Sequence, residues 1–454
     1  MQDLTQGSIT RHIVSMAVFI GLGLVFQTLY FLVDLYFVSR LGSAAIAGVS
    51  AAGVTSFLVM GFSQLIGVGA MALTAQAVGR KDKAAADLVS SQSLSLSIAF
   101  AVVALVFGYT FGLSAVAKVG ADAATGEAAR AYLGAFLPSL AIMFPTVALG
   151  TALRAAGVVR PTMFLQTGSI LLNAILAPVL IMGYGTGVPL GVAGAGWAST
   201  IAAGAGLLGM IYLFPRVQSF IRVHVRELKP NFGQWLKIIG IGVPAAAEFL
   251  LMFLIFGVVY WVIRGFGPHA QAGFGVGMRI MQSIFLPAMA IAFAAAPIAG
   301  QNFGARHYDR VRETFRRTAM ICCSVMFALT LFAHVAPEVL VRPFISGDQA
   351  AMDVAIVYLK IASWNFVASG LIFTCSSMFQ GLGDTRPSFV ASASRLFTFA
   401  IPAIYLSTQM HLALETFWWL SVASVFLQAV FVFFLMQGML KRKLGSADAV
   451  AAPA

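Results

Sequence analysis

Apolar residues run along this chain in blocks of twenty or more, and polar or charged residues collect in the short gaps between them. An α-helix rises about 1.5 Å per residue, so about 20 consecutive apolar residues cross the hydrocarbon core of a bilayer. Each block is therefore read as a membrane-spanning helix. The blocks fall near residues 13–38, 45–73, 89–111, 131–153, 162–184 and 190–214, and again near 237–263, 270–299, 315–337, 354–380, 387–407 and 413–439. They predict an all-α integral membrane protein of twelve transmembrane helices. The first block is too long for a signal-peptide core and no A-x-A-like cleavage site follows it, so it is expected to stay as the first span.

Composition sharpens this picture. Hydrophobic residues make up 60% of the chain and charged residues 10%, against about a quarter charged in a soluble domain. The net charge of +12 is split into short clusters between spans, which speaks for topology and against a nucleic-acid partner. With the N-terminus in the cytoplasm, 20 Lys and Arg residues fall inside and five outside (Arg40, Lys118, Arg130, Arg264 and Arg342), the sense of the positive-inside rule. Both termini are thus expected in the cytoplasm, with the protein multi-pass in a bacterial plasma (inner) membrane. Cys322, Cys323 and Cys375 lie inside apolar blocks without CxxC spacing, so they predict neither a zinc site nor a disulfide framework.

The chain also repeats itself. At a shift of 225 residues Gly42 falls on Gly267, Gly48 on Gly273, Gln76 on Gln301 and Gly79 on Gly304. At a shift of 226, Gly157-Val-Val-Arg160-Pro161 falls on Gly383-Asp-Thr-Arg386-Pro387. An even number of spans per repeat makes the halves parallel, so two pseudo-symmetric six-helix lobes related by an axis along the membrane normal are expected, with a substrate cavity between them. The predicted organisation is an N-terminal lobe over 1–214, a basic cytoplasmic linker over 215–236, a C-terminal lobe over 237–443 and a disordered tail over 444–454.

Few residues offer chemistry. Asp34 lies inside the first span, where a charged carboxylate costs about 2.5–3.5 kcal/mol on insertion scales, and it reads as a functional site, the other reading being a hydrated or paired carboxylate close to the outer end of that helix. It can exchange its charge by taking up a proton or a sodium ion. Glu248, four residues after Pro244 in the seventh span, has two readings: a second exchanging acid, or half of a buried salt bridge with Arg279. Lys360 and Arg395 also fall within spans and are expected to pair with acids or to snorkel to an interface. Pro244 is the proline best placed to let a span bend beside a buried acid.

Other patterns exclude activities. Gly204-Ala-Gly206-Leu-Leu-Gly209 fits G-x-G-x-x-G but sits in a span with no preceding strand, so it reads as close helix packing. No GxxxxGK[ST] cradle is present, which disfavours an ATP-driven pump. Only His334 among the six histidines falls in a span, and no His, Ser or Asp arrangement supports catalysis. No enzyme activity, cofactor or structural metal is expected.

At this point the chain resembles the multidrug and toxic compound extrusion family over nearly its whole length. The resemblance rests on Val33-Asp34-Leu-Tyr-Phe-Val-Ser-Arg-Leu41-Gly42, Ala75-Gln76-Ala-Val-Gly79, Leu153-Arg154-Ala-Ala-Gly157 and Gly191-Val-Ala-Gly-Ala195. The second repeat adds Gly242-Val-Pro244, Pro297-Ile-Ala-Gly-Gln301-Asn302-Phe-Gly304-Ala305 and Gln380-Gly-Leu-Gly383-Asp384-Thr-Arg386-Pro387.

The resemblance implies alternating access, with inward proton or sodium movement driving export of amphipathic, often cationic compounds by a functional monomer. It implies an ion site in which Asn173 adds an amide oxygen to Asp34 and Ser199 or Thr200 adds a hydroxyl, with Glu248 as a helix 7 acid in the C-terminal lobe. One departure stands out: where some members carry Asn-x-x-x-Asp-Pro, this chain has Asn173-Ala-Ile-Leu-Ala177-Pro178. A single formal charge with fewer hard oxygens favours proton over sodium; if sodium is the ion, it is expected at Asp34 and Asn173. A lipid-linked precursor flippase is the nearest alternative, disfavoured by scarce basic residues in the N-terminal spans. A membrane-embedded transferase is more remote, since it needs clustered catalytic groups.

Overall fold

The computed structural model describes residues 3–119, 122–185, 187–217, 220–344, 348–409 and 413–448. Among these the regular structure is entirely helical, as a chain immersed in lipid requires, because each backbone N–H and C=O must find its partner within its own segment. The helices are α1 (Ile9–Ser39), α2 (Ser43–Gly79), α3 (Lys83–Phe107), α4 (Leu113–Val119), α5 (Ala123–Ala155), α6 (Arg160–Met182), α7 (Gly191–Val217) and α8 (Phe232–Ile263). The second series is α9 (Pro268–Gly304), α10 (Tyr308–Val335), α11 (Pro337–Val341), α12 (Gln349–Ala362), α13 (Asn365–Gly381), α14 (Arg386–Arg395), α15 (Ile401–Gln409) and α16 (Leu414–Asp448). Short π-helical turns, Gly108–Gly112 and Leu396–Ala400, join α3 to α4 and α14 to α15. Among the described residues eleven continuous helical runs are long and apolar enough to cross a membrane. The twelfth span is the pair α12 and α13, bent by 55° at its break.

Contacts divide the chain into two units. The first holds Leu22–Val243, and the second holds Leu4–Gly21 together with the chain from Pro244 onward. The division falls inside two helices, α1 and α8, and in α8 it falls at Pro244. The early turns of α1 therefore go with the second unit, and those of α8 with the first, whereas the expected lobes assigned each helix whole.

The repeat seen in the sequence reappears in backbone conformation. α2 and α9 have the same length, 37 residues, and their ends lie 225 positions apart. The residues that precede them, Gly42 (φ 103°) and Gly267 (φ 91°), share a backbone conformation that L side chains rarely adopt. Lys81 (φ 59°) and Arg306 (φ 61°), again 225 apart, are the two non-glycine residues with positive φ among those described.

Small residues make the interiors of both units. Lipid is as apolar as leucine, so close backbone approach and dispersion contacts replace a hydrophobic drive between helices. In α9 the alanines at 288, 290, 292, 294, 295, 296 and 299 are each at most 4% exposed. In the first unit a Cβ at Gly242 would lie 1.9 Å from the carbonyl oxygen of Leu65, so no larger residue fits where α8 crosses α2. Leucines and phenylalanines such as Leu32, Phe107, Phe164, Leu208, Phe327 and Phe434 are exposed, as suits side chains that meet acyl chains.

Two segments outside the spans are more ordered than the sequence suggests. The tail expected to be disordered from 444 is helical as far as Asp448, with Leu444 fully buried in the core at the end of the second unit; residues 449–454 lie outside the described residues. The linker before α8 is held against α3. Asp87 accepts from the amide of Arg222 (2.6 Å), Ser91 from the amide of His224 (3.1 Å), and Gln92 from the amide of Asn231 (2.9 Å). Ser95 donates to the carbonyl of Leu228 at 2.7 Å.

Candidate functional site

In the first unit, α1 carries Asp34 into the helix bundle, where it is 7% exposed. One turn earlier on the same helix, Tyr30 donates to Ser199 Oγ on α7 at 2.6 Å. Asn173 on α6, fully buried, donates through Nδ2 to the same Ser199 oxygen at 3.3 Å. Tyr132 on α5 lies, like Tyr30, within electrostatic reach of the Asp34 carboxylate. Four helices thus converge on one polar patch. Beside it is a cavity of about 160 Å³ lined in part by Gln27, Tyr30, Ser139, Gln166, Ser169 and Ser199, with room for a few waters.

The balance of donors and acceptors defines what this patch can do. Asp34 Oδ1 and Asn173 Oδ1 are both buried and neither has a hydrogen-bond partner. A buried acceptor without a donor costs about 1–3 kcal/mol, so two of them in one patch mark a place that stabilises an added positive species. A proton taken up by Asp34 would supply a donor, and a sodium ion would use the same oxygens as ligands. Ala177, one turn beyond Asn173, is fully buried and brings no further oxygen side chain.

Of the residues expected here, Asn173 on α6 and Ser199 on α7 are joined by a hydrogen bond, and Asp34 on α1 lies one turn from Tyr30, which donates to the same Ser199. Thr200 does not join them: its hydroxyl donates to the carbonyl of Ala135 on α5 at 2.7 Å. Neighbouring residues on a helix point about 100° apart, so only one of Ser199 and Thr200 can face the patch.

In the second unit, Glu248 on α8 sits just past Pro244 and accepts from three serines. Ser376 donates at 3.1 and 3.2 Å to its two oxygens, Ser388 at 2.7 Å and Ser392 at 3.0 Å. Ser376 and Ser388 also stand within hydrogen-bonding distance of each other, so their two protons are shared between that contact and the carboxylate, and Gln428 donates to Ser392 at 3.2 Å. Arg279 is not among the partners of Glu248; it is exposed on α9. The salt-bridge reading of Glu248 is therefore replaced by a carboxylate caged in hydroxyls.

Among the described residues neither Lys360 nor Arg395 pairs with an acid, one of the two expectations for them. Lys360 is exposed. Arg395 donates to Ser424 at 3.4 Å and stands over the Phe399 ring at 5.4 Å, a cation–π contact. Among the described residues no group of three or more His, Cys, Asp or Glu could hold a metal ion.

The residues that sequence reasoning missed are Tyr30, Tyr132, Ser376, Ser388, Ser392 and Gln428. Part of the signal was present: Tyr30 and Asp34 are four apart on one helix face, as are Ser388 and Ser392. Which faces meet depends on helix packing, which spacing within one helix does not contain.

Comparison with known proteins agrees with the fold and the repeat. The family model MatE matches residues 20–179 and again 244–406. The chain is 25% identical over 429 residues to the multidrug export protein MepA of Staphylococcus aureus (strain NCTC 8325 / PS 47), covering 92% of each chain. It is 25% identical over 409 residues to the probable multidrug resistance protein YoeA of Bacillus subtilis (strain 168), covering 89% of this chain and 88% of the relative. Among solved structures, a multidrug resistance MATE family transporter of the MOP superfamily in an outward-facing conformation superposes with a TM-score of 0.89 at 23% identity, covering 97% and 98% of the two chains. A MOP superfamily transporter from Pyrococcus furiosus superposes with a TM-score of 0.88 at 22% identity over the same shares. That protein is described as having a binding pocket of reversed polarity that suggests a different function. At such identities these structures share the fold with this chain, and the fold alone leaves the polarity of the cargo open.

Proposed function

This chain belongs to the MatE family, and from that premise we propose that it works as a secondary multidrug exporter, moving amphipathic and mainly cationic compounds outward by alternating access in exchange for protons. The observation that carries the reading is the pair of buried acceptors without donors, Asp34 Oδ1 and Asn173 Oδ1, on helices that the Tyr30–Ser199–Asn173 hydrogen bonds join. Protonation converts Asp34 from an acceptor to a donor and removes a charge from the bundle interior. The hydrogen bonds of Tyr30, Asn173 and Ser199 can then rearrange, and α1 with them. The presence of one carboxylate, with Ala177 in place of a second, supports the proton over sodium. Glu248 in its serine cage serves as a second acid of the same kind in the other unit, next to the proline at which α8 passes from one unit to the other.

The test is efflux of a cationic dye from proteoliposomes under a proton gradient or a sodium gradient imposed separately. Proton-driven efflux is expected, with loss of at least about tenfold in rate for Asp34→Asn, the scale on which a single functional charge acts. Undiminished efflux by Asp34→Asn under both gradients overturns the role of Asp34. Efflux driven by sodium alone replaces the proton with sodium.

A further inference from the structure

At the basic end of the second unit, α10 and α16 both pack on α13 and leave an open groove of about 560 Å³ between them. Its α10 wall is Arg312, Phe315, Arg316, Ala319 and Met320, one helix face at the i, i+3, i+4, i+7, i+8 spacing; Phe433 and Lys441 stand on the α16 wall. The volume is that of a site for a sizeable apolar ligand.

The first unit shows what this groove would need in order to hold protein chain. There the corresponding face of α3, 225 positions earlier, presents Asp87, Ser91 and Ser95, and the linker lies along it. Asp87 and Ser91 accept its amides and Ser95 donates to its carbonyl. Ile221 of the linker is fully buried in the core beneath. The cores match as well: Met210, Phe214 and Leu153 in the first unit answer to Met436, Leu440 and Phe379 in the second. In the second unit, however, the three linker-binding positions are Arg312, Arg316 and Met320. Neither guanidinium group can accept a backbone amide, and the Met320 thioether has no proton to donate to a carbonyl, so the repeat retains the groove but has lost the three contacts that seat the linker in it.

We propose that this groove binds an anionic phospholipid, with the phosphate held by Arg312, Arg316 and Lys441 and one acyl chain along Phe315, Ala319, Met320 and Phe433. The charge and the apolarity both fit. Among the described residues Arg316 and Lys441 make no ion pair, and the Arg312 pair with Asp309, at 3.0 Å, is exposed on both sides, where such a pair is weak. Below the cations both walls continue into exposed apolar surface, Phe327 and Leu331 on α10 and Leu427, Val430 and Phe434 on α16. A chain leaving the groove therefore stays in hydrocarbon, whereas free phosphate would leave the apolar part unused. Basic pockets of this kind between transmembrane helices recognise anionic headgroups.

Native mass spectrometry of the full-length protein in detergent, with dioleoylphosphatidylglycerol or dioleoylphosphatidylcholine added, tests the assignment. The unmodified protein is expected to retain phosphatidylglycerol preferentially. Arg316→Gln with Lys441→Gln should lower that retention about tenfold while phosphatidylcholine binding is unchanged. Ala319→Trp, which keeps the cations and fills the groove, should lower it as well. Equal retention of the two lipids, or loss of equal size in a control within the first unit such as Arg80→Gln with Lys81→Gln, overturns the proposal. Full displacement by inorganic phosphate would make this a phosphate site. A gain in lipid retention on removing residues 449–454 would make that tail the occupant.

Discussion

Tyr30 and Ser199, separated by 169 positions in the chain, are joined by a hydrogen bond of 2.6 Å. Ser199 Oγ also accepts from Asn173 Nδ2, so a single hydroxyl holds α1 and α6 to α7 beside Asp34. Replacing it removes the acceptor for two donors at once. Ser199→Ala is therefore expected to destabilise the protein by about 1–3 kcal/mol, the cost of leaving a buried polar group unpaired, and to slow proton-driven dye efflux. Ser199→Thr keeps the hydroxyl and should restore part of both. Thermal unfolding in detergent and efflux from proteoliposomes measure the two effects; an alanine variant equal to the unmodified protein in both would remove Ser199 from the site.

Glu248 and its three serines make a different prediction. A carboxylate can accept from each of the three hydroxyls, and hydrogen bonds to a charged group are worth about 1.5–3 kcal/mol each. Because the Ser388 contact is short, at 2.7 Å, Glu248→Gln and Ser388→Ala should not be additive. A double-mutant cycle read by thermal unfolding should show a coupling of about 1 kcal/mol or more. Additive losses would mean that the serines pack beside Glu248 without sensing its charge.

The bundle was legible in the sequence because lipid imposes one simple rule: long apolar runs must be helices. The repeat was legible too, since Gly42 and Gly267 occupy a conformation that favours glycine and so leave matching letters. Asp34 and Glu248 could be picked out because charged groups are rare inside spans, and Asn173 because the family resemblance pointed to it. Their partners could not, since serine and tyrosine are unremarkable letters until helix packing brings Ser376, Ser388 and Ser392 around one carboxylate. The break between α12 and α13 has neither proline nor glycine; Ser363 there bonds to His334 at 3.0 Å, a contact across the fold. The linker read as a polar gap because its partner, the stripe Asp87, Ser91, Gln92 and Ser95, lies across the start of the third apolar block and carries no sign of what it binds.

That stripe can be tested directly. Gln92 donates to the carbonyl of Lys229 at 2.8 Å and accepts from the amide of Asn231, while Asp87 holds the amide of Arg222 and the ring of His224. Local opening of the linker must break these bonds, and proteolysis samples such opening. Asp87→Ala with Gln92→Ala is expected to speed tryptic cleavage at Arg222 and Arg226 by about tenfold, which corresponds to about 1.4 kcal/mol of lost local stability. Cleavage elsewhere should be unaffected. An unchanged rate at these two arginines would show that burial of Ile221 alone holds the linker.

The repeat also sets two equivalent helix caps outside the spans, and these are expected to contribute to acid sensitivity. Asp122 accepts from the Thr125 amide at 2.7 Å, and Asp348, 226 positions later, from the Ala351 amide at 3.0 Å. The backbone hydrogen bond is the main cause that holds each carboxyl below the ordinary aspartate range; the Thr125 side chain adds to it at Asp122 and the His269 ring at Asp348. A group whose folded pKa is depressed contributes stability that is complete above its unfolded pKa, about 3.9 for aspartate, and is lost as pH falls through the folded value. Asparagine caps a helix nearly as well and does not titrate. Asp122→Asn with Asp348→Asn should therefore melt close to the unmodified protein at neutral pH and lose less of its melting temperature between about pH 4 and pH 2. Melting curves that fall in parallel over that interval would show that the caps are not the source of the acid sensitivity.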